Sequence, residues 1–136
     1  MSLAALLRPC GPVLDAGAAD RTLEVLIRAA DDASWRALLD QAWPALAPVF
    51  GASPYLASIA RRYPDGLRRS LETSPEARLE AILAETAEAG GDGLIGGAKR
   101  LRELKAETHL MVALADLGGV WDLDHVTGAL TRFADA

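Results

Sequence analysis

Residues 101–136 have the sequence LRELKAETHLMVALADLGGVWDLDHVTGALTRFADA, and this stretch decides the fold class. From Ala98 to about Leu117, apolar residues recur every three or four positions, which is the pattern of an amphipathic helix. The glycine pair at 118–119 then ends the pattern as glycines commonly end helices. A second amphipathic stretch begins at Asp122, a residue type that caps helix N-termini. Two consecutive helices are predicted, and a chain that stops on a helix is expected to be a piece of a longer protein.

The composition of the whole chain favours helix elsewhere as well. Alanine and leucine, which have high helix propensity, dominate, and aromatic residues are only 5% of the total. A length of 136 residues with 51% hydrophobic residues suits one domain with its own core. We therefore predict an all-α protein, with a single bundle-like domain of six to seven helices and no sheet at residues 20–136. Residues 1–19, with glycine and proline among small residues, are predicted to be an irregular leader.

Serine–proline pairs predict where two helices begin. In Ser53-Pro54 and in Ser74-Pro75 the serine hydroxyl can accept a free backbone N–H, and proline suits the first helical position. Pro44 and Pro48 instead fall inside an amphipathic stretch, and we expect them to break it because proline removes a helical hydrogen bond.

The chain has one cluster of glycines, GGDGLIGG at residues 90–97. A helical glycine costs about 1 kcal/mol relative to alanine, so five glycines in eight residues predict a loop between helices. The alternative is a phosphate-binding loop, and the spacing of Gly91 and Gly96 suits one. Gly97 and Ala98, however, stand where such loops need a lysine and a hydroxyl residue.

The charge balance argues against two classes of partner. The net charge is −5, whereas nucleic-acid-binding proteins usually carry a basic surface. No apolar run approaches the roughly 18 residues of a membrane span, and Arg8 follows the first apolar residues rather than preceding them, unlike the cation of a signal peptide. Cys10 is the one cysteine, which excludes an internal disulfide and favours a reduced, cytoplasmic setting. No nucleic acid and no membrane are therefore expected as partners.

The sequence offers no pattern of residues that constitutes an active site. Asp122 and Asp124 resemble the Asp-x-Asp pair with which nucleotidyltransferases hold Mg²⁺, but on a helix such side chains point about 200° apart. We expect them to cap the last helix. His109 and His125 have no second ligand at metal-binding spacing. No catalytic, cofactor-binding or metal-ligating residue is predicted.

One local patch of positive charge flanks Pro64, and it consists of Arg61, Arg62, Arg68 and Arg69. These arginines are candidate contacts for a phosphate or for an acidic partner surface. The alternative is that they complement a helix C-terminus and otherwise face solvent. A second basic run, at residues 99–105, is expected to be partly paired within its own helix by Glu103 and Glu107.

Three motifs carry a resemblance to a known family: Leu101-Arg102-x-x-Lys105, Ala113-Leu114-Ala115-Asp116-Leu117-Gly118-Gly119 and Leu130-Thr131-x-Phe133-Ala134-Asp135-Ala136. With them, residues 98–136 resemble the helical segment before the first nucleotidyltransferase core of bifunctional glutamine synthetase adenylyltransferase/adenylyl-removing enzymes. Ser53-Pro54-Tyr55-Leu56 is similar to an Asn/Ser-Pro-Tyr-Leu motif found earlier in those enzymes.

The resemblance implies a non-catalytic helical fragment of the enzyme that transfers AMP from ATP to a tyrosine of glutamine synthetase, and removes it, in nitrogen regulation. Mg²⁺ and ATP would serve the catalytic core of the parent enzyme, expected after Ala136, and no cofactor is expected in the fragment. The implied partners are the remainder of the parent enzyme and glutamine synthetase, with the PII signalling protein as a further candidate.

Two other functions fit the residues. The chain could be a self-standing helical adaptor that docks a protein partner through an exposed apolar stripe. A nucleic-acid-binding helical protein ranks third, because the negative charge opposes attraction to phosphate.

Overall fold

The computed structural model describes residues 2–91 and 94–135, and these residues form eight α-helices without a strand. The prediction of an all-α fold is confirmed, and the helix count exceeds the expected six to seven because a short helix forms in the leader. No helix in the described ranges combines the length and apolar character needed to cross a bilayer. The helices are α1 (Leu3–Leu6), α2 (Ala16–Asp32), α3 (Arg36–Ala52), α4 (Pro54–Arg62), α5 (Pro64–Glu72), α6 (Pro75–Gly91), α7 (Leu94–Leu117) and α8 (Leu123–Asp135).

The leader is more ordered than the sequence predicts. Leu3 of α1 is fully buried, and its backbone N–H donates to the carbonyl of Thr73 at 2.8 Å. Helix α2 begins at Ala16, four residues before the predicted start, because the Asp15 carboxylate caps its first turn. Only residues 7–15 of the expected irregular leader lie between helices. A single helical turn is too short to show periodicity, and its contact with the core fixes it instead.

Helix α3 passes through both of its prolines, so the prediction that they break it is wrong. Pro44 and Pro48 lie inside a continuous helix that ends at Ala52. An internal proline costs about 3 kcal/mol. Val49 and Phe50, beyond both prolines, are buried, and burial of each large side chain contributes about 1.5–3 kcal/mol. The free energy gained by burying the last turns therefore offsets the cost of the hydrogen bonds that the prolines remove.

Both predicted serine caps are confirmed. The hydroxyl of Ser53 accepts the backbone N–H of Leu56 at 3.2 Å, and the hydroxyl of Ser74 accepts that of Ala77 at the same distance. In each case the following proline is the first helical residue. These local signals fix the starts of α4 and α6.

Helix α7 is the centre of the domain and contacts α3, α4, α5, α6 and α8. Its predicted apolar face is confirmed, since Leu104, Thr108, Met111 and Ala115 are buried and Leu101 is half-buried. Because α7 lies between the other helices, side chains on its other faces contact the neighbouring helices in the interior or line the clefts between them.

The glycine cluster lies mostly within helices, and the prediction of a loop across it is wrong for the described positions. Helix α6 continues to Gly91 and α7 begins at Leu94, while residues 92 and 93 lie outside the described part of the chain. A Cβ atom added to Gly97 would lie 2.5 Å from the carbonyl oxygen of Ala89. Glycine is therefore needed there so that the two helices can pack closely, and this packing offsets its low helix propensity.

Candidate functional site

An apolar groove of about 710 Å³ lies between α6 and α8. Its floor consists of Leu79, Trp121 and Ala129, whose side chains are at most 6% exposed. Gly128 contributes no side chain, and a Cβ atom at that position would meet nothing within 4 Å. We call this surface the α6/α8 groove. Its width and apolar floor suit the insertion of apolar side chains from a partner.

Polar side chains on the rim connect the two helices that form the groove. The indole N–H of Trp121 donates to Glu76 at 2.9 Å, and this hydrogen bond lowers the pKa of the Glu76 carboxyl. The guanidinium of Arg132 on α8 donates to the carboxylate of Glu80 on α6. Exposed pairs of this kind contribute little stability, about 0–1 kcal/mol. The two contacts link α6 with α8 and with the residues just before it, on either side of the groove.

The two aspartates at the start of α8 differ in role. The carboxylate of Asp122 accepts the backbone N–H of His125 at 2.9 Å, which confirms the predicted cap, and lies 2.8 Å from the ring Nδ1 of the same residue. These hydrogen bonds raise the pKa of His125 and lower that of Asp122. Asp124 lines the α6/α8 groove.

The four arginines of the predicted patch face different surroundings. Arg61 donates to the hydroxyl of Thr22 on α2 at 2.8 Å. Arg69 donates to Glu107, and the half-buried Arg68 has an Nε atom without a hydrogen-bond partner in the described part of the chain. Arg62 is exposed and lines a cleft against α7. Arg62 and Arg69 line one depression beside Pro64, whereas Arg61 contacts α2, so the structure keeps only part of the patch together.

A buried ion cluster was missed by the sequence analysis. Glu107 on α7 is 1% exposed and accepts from Arg69 of α5 at 3.0 Å and from Arg78 of α6 at 2.6 Å. Arg78 is also buried and lies 3.4 Å from Glu85. The expectation that Glu107 pairs within its own helix is wrong, because its charge joins three helices. One signal was available, namely that Glu107 lies within the apolar stripe of α7 between Leu104 and Met111.

Mg²⁺ and ATP, which the resemblance implies for the parent enzyme, do not fit the described residues. These residues contain no group of three or more histidine, cysteine, aspartate or glutamate side chains that could hold a metal ion. The carboxylate of Asp122 is already occupied with capping α8. Gly97 is packed against the backbone of α6, so no phosphate has room to approach at that position.

Comparison with known proteins gives the family. The family model of glutamate-ammonia ligase adenylyltransferase matches residues 43–136, which is more than half of the chain. The chain belongs to this family. It is 54% identical, over 98% of its length, to a bifunctional glutamine synthetase adenylyltransferase/adenylyl-removing enzyme of Caulobacter vibrioides, and 37% identical over 99% to the enzyme of that name from Xanthobacter autotrophicus. An enzyme of the same name from Rhodopseudomonas palustris is 42% identical over 72% of the chain.

The glutamate-ammonia ligase adenylyltransferase relatives are much longer than this chain. The match covers 14% of the Caulobacter and Xanthobacter enzymes and 10% of the Rhodopseudomonas enzyme. No solved structure matches the chain significantly. Family membership thus rests on sequence over nearly the whole chain.

Proposed function

We propose that this chain is a helical, non-catalytic part of an enzyme that attaches AMP to a tyrosine of glutamine synthetase and removes it. The observation that carries the proposal is the 54% identity over 98% of the chain to a bifunctional adenylyltransferase/adenylyl-removing enzyme, of which the match spans 14%. The catalytic core, with its ATP and Mg²⁺, would then belong to another part of the parent enzyme. We propose that the parent enzyme acts in the cytoplasm and regulates nitrogen metabolism.

The α6/α8 groove is the surface that we assign to docking on the remainder of the parent enzyme. The groove is open to solvent, and most of the surface that its lining exposes is apolar. Covering apolar surface contributes about 25 cal/mol per Å², so a matching surface would stabilise both parts. The relatives supply ample further chain to provide that surface, since most of their length lies outside the match.

Glutamine synthetase and the PII signalling protein are proposed as partners of the parent enzyme. Of the arginines predicted for partner contact, Arg61 and Arg69 are engaged with other helices. Arg62, exposed on α4, is the best placed of the four for an external contact. The comparisons do not support a self-standing adaptor, because each relative named above is a much longer enzyme.

The absence of catalysis is tested with the 136-residue chain alone. Supplied with ATP, Mg²⁺ and glutamine synthetase, it should neither attach AMP to the synthetase nor release AMP from the modified form. Radiolabelled AMP on the synthetase is the measurement. Turnover above that of a blank without the chain would contradict the proposal.

Docking is tested by adding the 136-residue chain to the parent enzyme from which these residues have been removed. We expect a stable complex in size-exclusion chromatography, and a Gly128→Phe variant, which fills the groove, should weaken it. Thr127→Phe is the matched control, because it places the same ring on the neighbouring exposed position of α8, outside the groove lining. Equal binding by both variants would argue against the groove, and no complex at all would contradict docking on the remainder of the parent enzyme.

A further inference from the structure

A second cleft, of about 240 Å³, lies between α4 and α7 and collects positive charge. Tyr55 and Arg62 come from α4, and Arg102, Lys105 and His109 come from α7. On each helix these positions are three, four or seven residues apart, so they share one face. We call this surface the α4/α7 cleft.

Within the described part of the chain, the three cations of the α4/α7 cleft form no ion pair with an acidic side chain. Arg62, Arg102 and Lys105 are exposed, form no ion pair with any described residue, and are joined by no carboxylate in the cleft lining. Asp65 and Glu103 line a separate depression on the other side of Arg62, and neither forms an ion pair with it. Elsewhere in the same chain, arginines such as Arg78 are paired. Three positive charges around one depression repel one another, and a bound anion would relieve that repulsion.

Neutral donors complete the α4/α7 cleft. The hydroxyl of Tyr55 lies 2.9 Å from Nδ1 of His109, and their rings are tilted by 52°. Partial burial, and secondarily the charge of Lys105, lower the pKa of His109, so its ring is largely neutral at pH 7. The hydroxyls of Ser58 and Tyr63 also line the cleft. The lining therefore offers hydroxyl and ring donors in addition to three charges.

We propose that the α4/α7 cleft binds a small, multiply charged oxyanion of a free metabolite, either a phosphate group or a polycarboxylate. Guanidinium and ammonium groups form strong charge-assisted hydrogen bonds with both kinds of anion. The cleft is smaller than the roughly 300–1,000 Å³ typical of sites for drug-sized ligands, which favours one compact anionic group. This inference rests on the cleft alone and is independent of the proposed enzymatic role.

The test is a titration of the 136-residue chain, at constant ionic strength, with inorganic phosphate in one arm and citrate in the other. We expect saturable binding, followed by calorimetry and by the NMR signals of the His109 ring. Replacing Arg102 and Lys105 together by glutamine should weaken binding about tenfold or more, because charge-assisted contacts dominate. Arg28→Gln is the matched control, since it removes an exposed charge from α2, outside the cleft.

The outcomes separate the sources of the anion. Tighter binding in the phosphate arm assigns a phosphorylated metabolite, and tighter binding in the citrate arm assigns a polycarboxylate. A response that does not saturate, or one that is equal in the double variant and the wild-type chain, would overturn the proposal. So would binding of an oligoglutamate peptide alone, which would assign the cleft to an acidic protein segment. Thermal unfolding of each variant checks that it remains folded.

Discussion

Replacing Glu107 by glutamine should destabilise the chain far more than other exchanges of glutamate for glutamine on α7. Its carboxylate is 1% exposed, and each oxygen accepts from a different arginine, Arg69 on α5 and Arg78 on α6. Glutamine keeps the shape of the side chain, but it removes the negative charge and turns an amide N–H₂ group towards one of the two guanidinium groups. The variant therefore leaves positive charge in the interior with poor compensation.

The magnitude follows from the burial of the partners. Breaking a buried ion pair by removing one charge costs about 3–5 kcal/mol. Arg69 is 41% exposed, and Glu85 remains near Arg78 at 3.4 Å, so solvent and a second carboxylate reduce the loss. We expect about 2–4 kcal/mol, a large part of the roughly 5–15 kcal/mol that stabilises a domain. At about 2.1 cal/mol/K of unfolding entropy per residue, this loss lowers Tm by about 7–14 °C.

The assay is urea and thermal unfolding followed by far-ultraviolet circular dichroism. Glu103→Gln is the matched control, because Glu103 lies one turn away on α7 and forms no ion pair with the described residues; it should change stability by less than about 0.5 kcal/mol. A second variant replaces Glu107 and Arg78 together by methionine. Since apolar replacements of buried ion pairs are often neutral, this variant should recover most of the stability that Glu107→Gln loses.

Two results would refute this reasoning. If Glu107→Gln unfolded within experimental error of Glu103→Gln, the carboxylate of Glu107 would not bridge three helices in solution. If the double methionine variant were less stable than Glu107→Gln, the loss would come from side-chain shape and hydrogen bonding rather than from an uncompensated buried charge.

Three further predictions concern single positions. Gly97→Ala should lower the free energy of unfolding by about 1–3 kcal/mol in urea denaturation, because its Cβ atom would meet the backbone of Ala89. Gly128→Ala, in open space on α8, should raise it by about 0.5–1 kcal/mol in the same assay. Asp122→Asn should return the pKa of His125 towards 6.5 in an NMR titration. The stabilisation from the raised pKa of His125 is present at low pH and is lost as pH rises through the folded value, so this variant should lose it at low pH.

The ends of helices were predictable because their signals are local. Ser53 and Ser74 cap the helices that follow them, as their neighbours in sequence required. The glycine pair after α7 behaves likewise. Gly119 has φ +74°, its N–H donates to the carbonyl of Asp116 at 3.2 Å, and the next N–H donates to Ala115 at 2.9 Å. This Schellman motif needs only residues close in sequence.

The errors arose where distant contacts override local preference. Pro48 and Gly97 both disfavour helix by local criteria, yet both are buried within helices. Packing compensates for their low helix propensity: Pro48 lies near the core around Phe50, and Gly97 packs against the backbone of Ala89. Helix propensity does not include such tertiary contacts. The individual partners of the four arginines could not be predicted for the same reason, because adjacency in sequence does not determine which helix each side chain meets.

Glu107 and the cations that α7 contributes to the α4/α7 cleft lie on opposite faces of the helix, which a helical projection shows and the linear sequence does not. Because Glu107 and the basic run at residues 99–105 share one helix, the sequence predicts partial pairing between them. At about 100° per residue, Arg102, Lys105 and His109 cluster on one face of the helix, and Glu107 points about 160° away from them. In the structure Glu107 contacts arginines of α5 and α6, whereas Arg102 and Lys105 face α4. Glu107 therefore cannot neutralise these cations, and its burial on the opposite face explains why the positive charge of the α4/α7 cleft is left for an external anion.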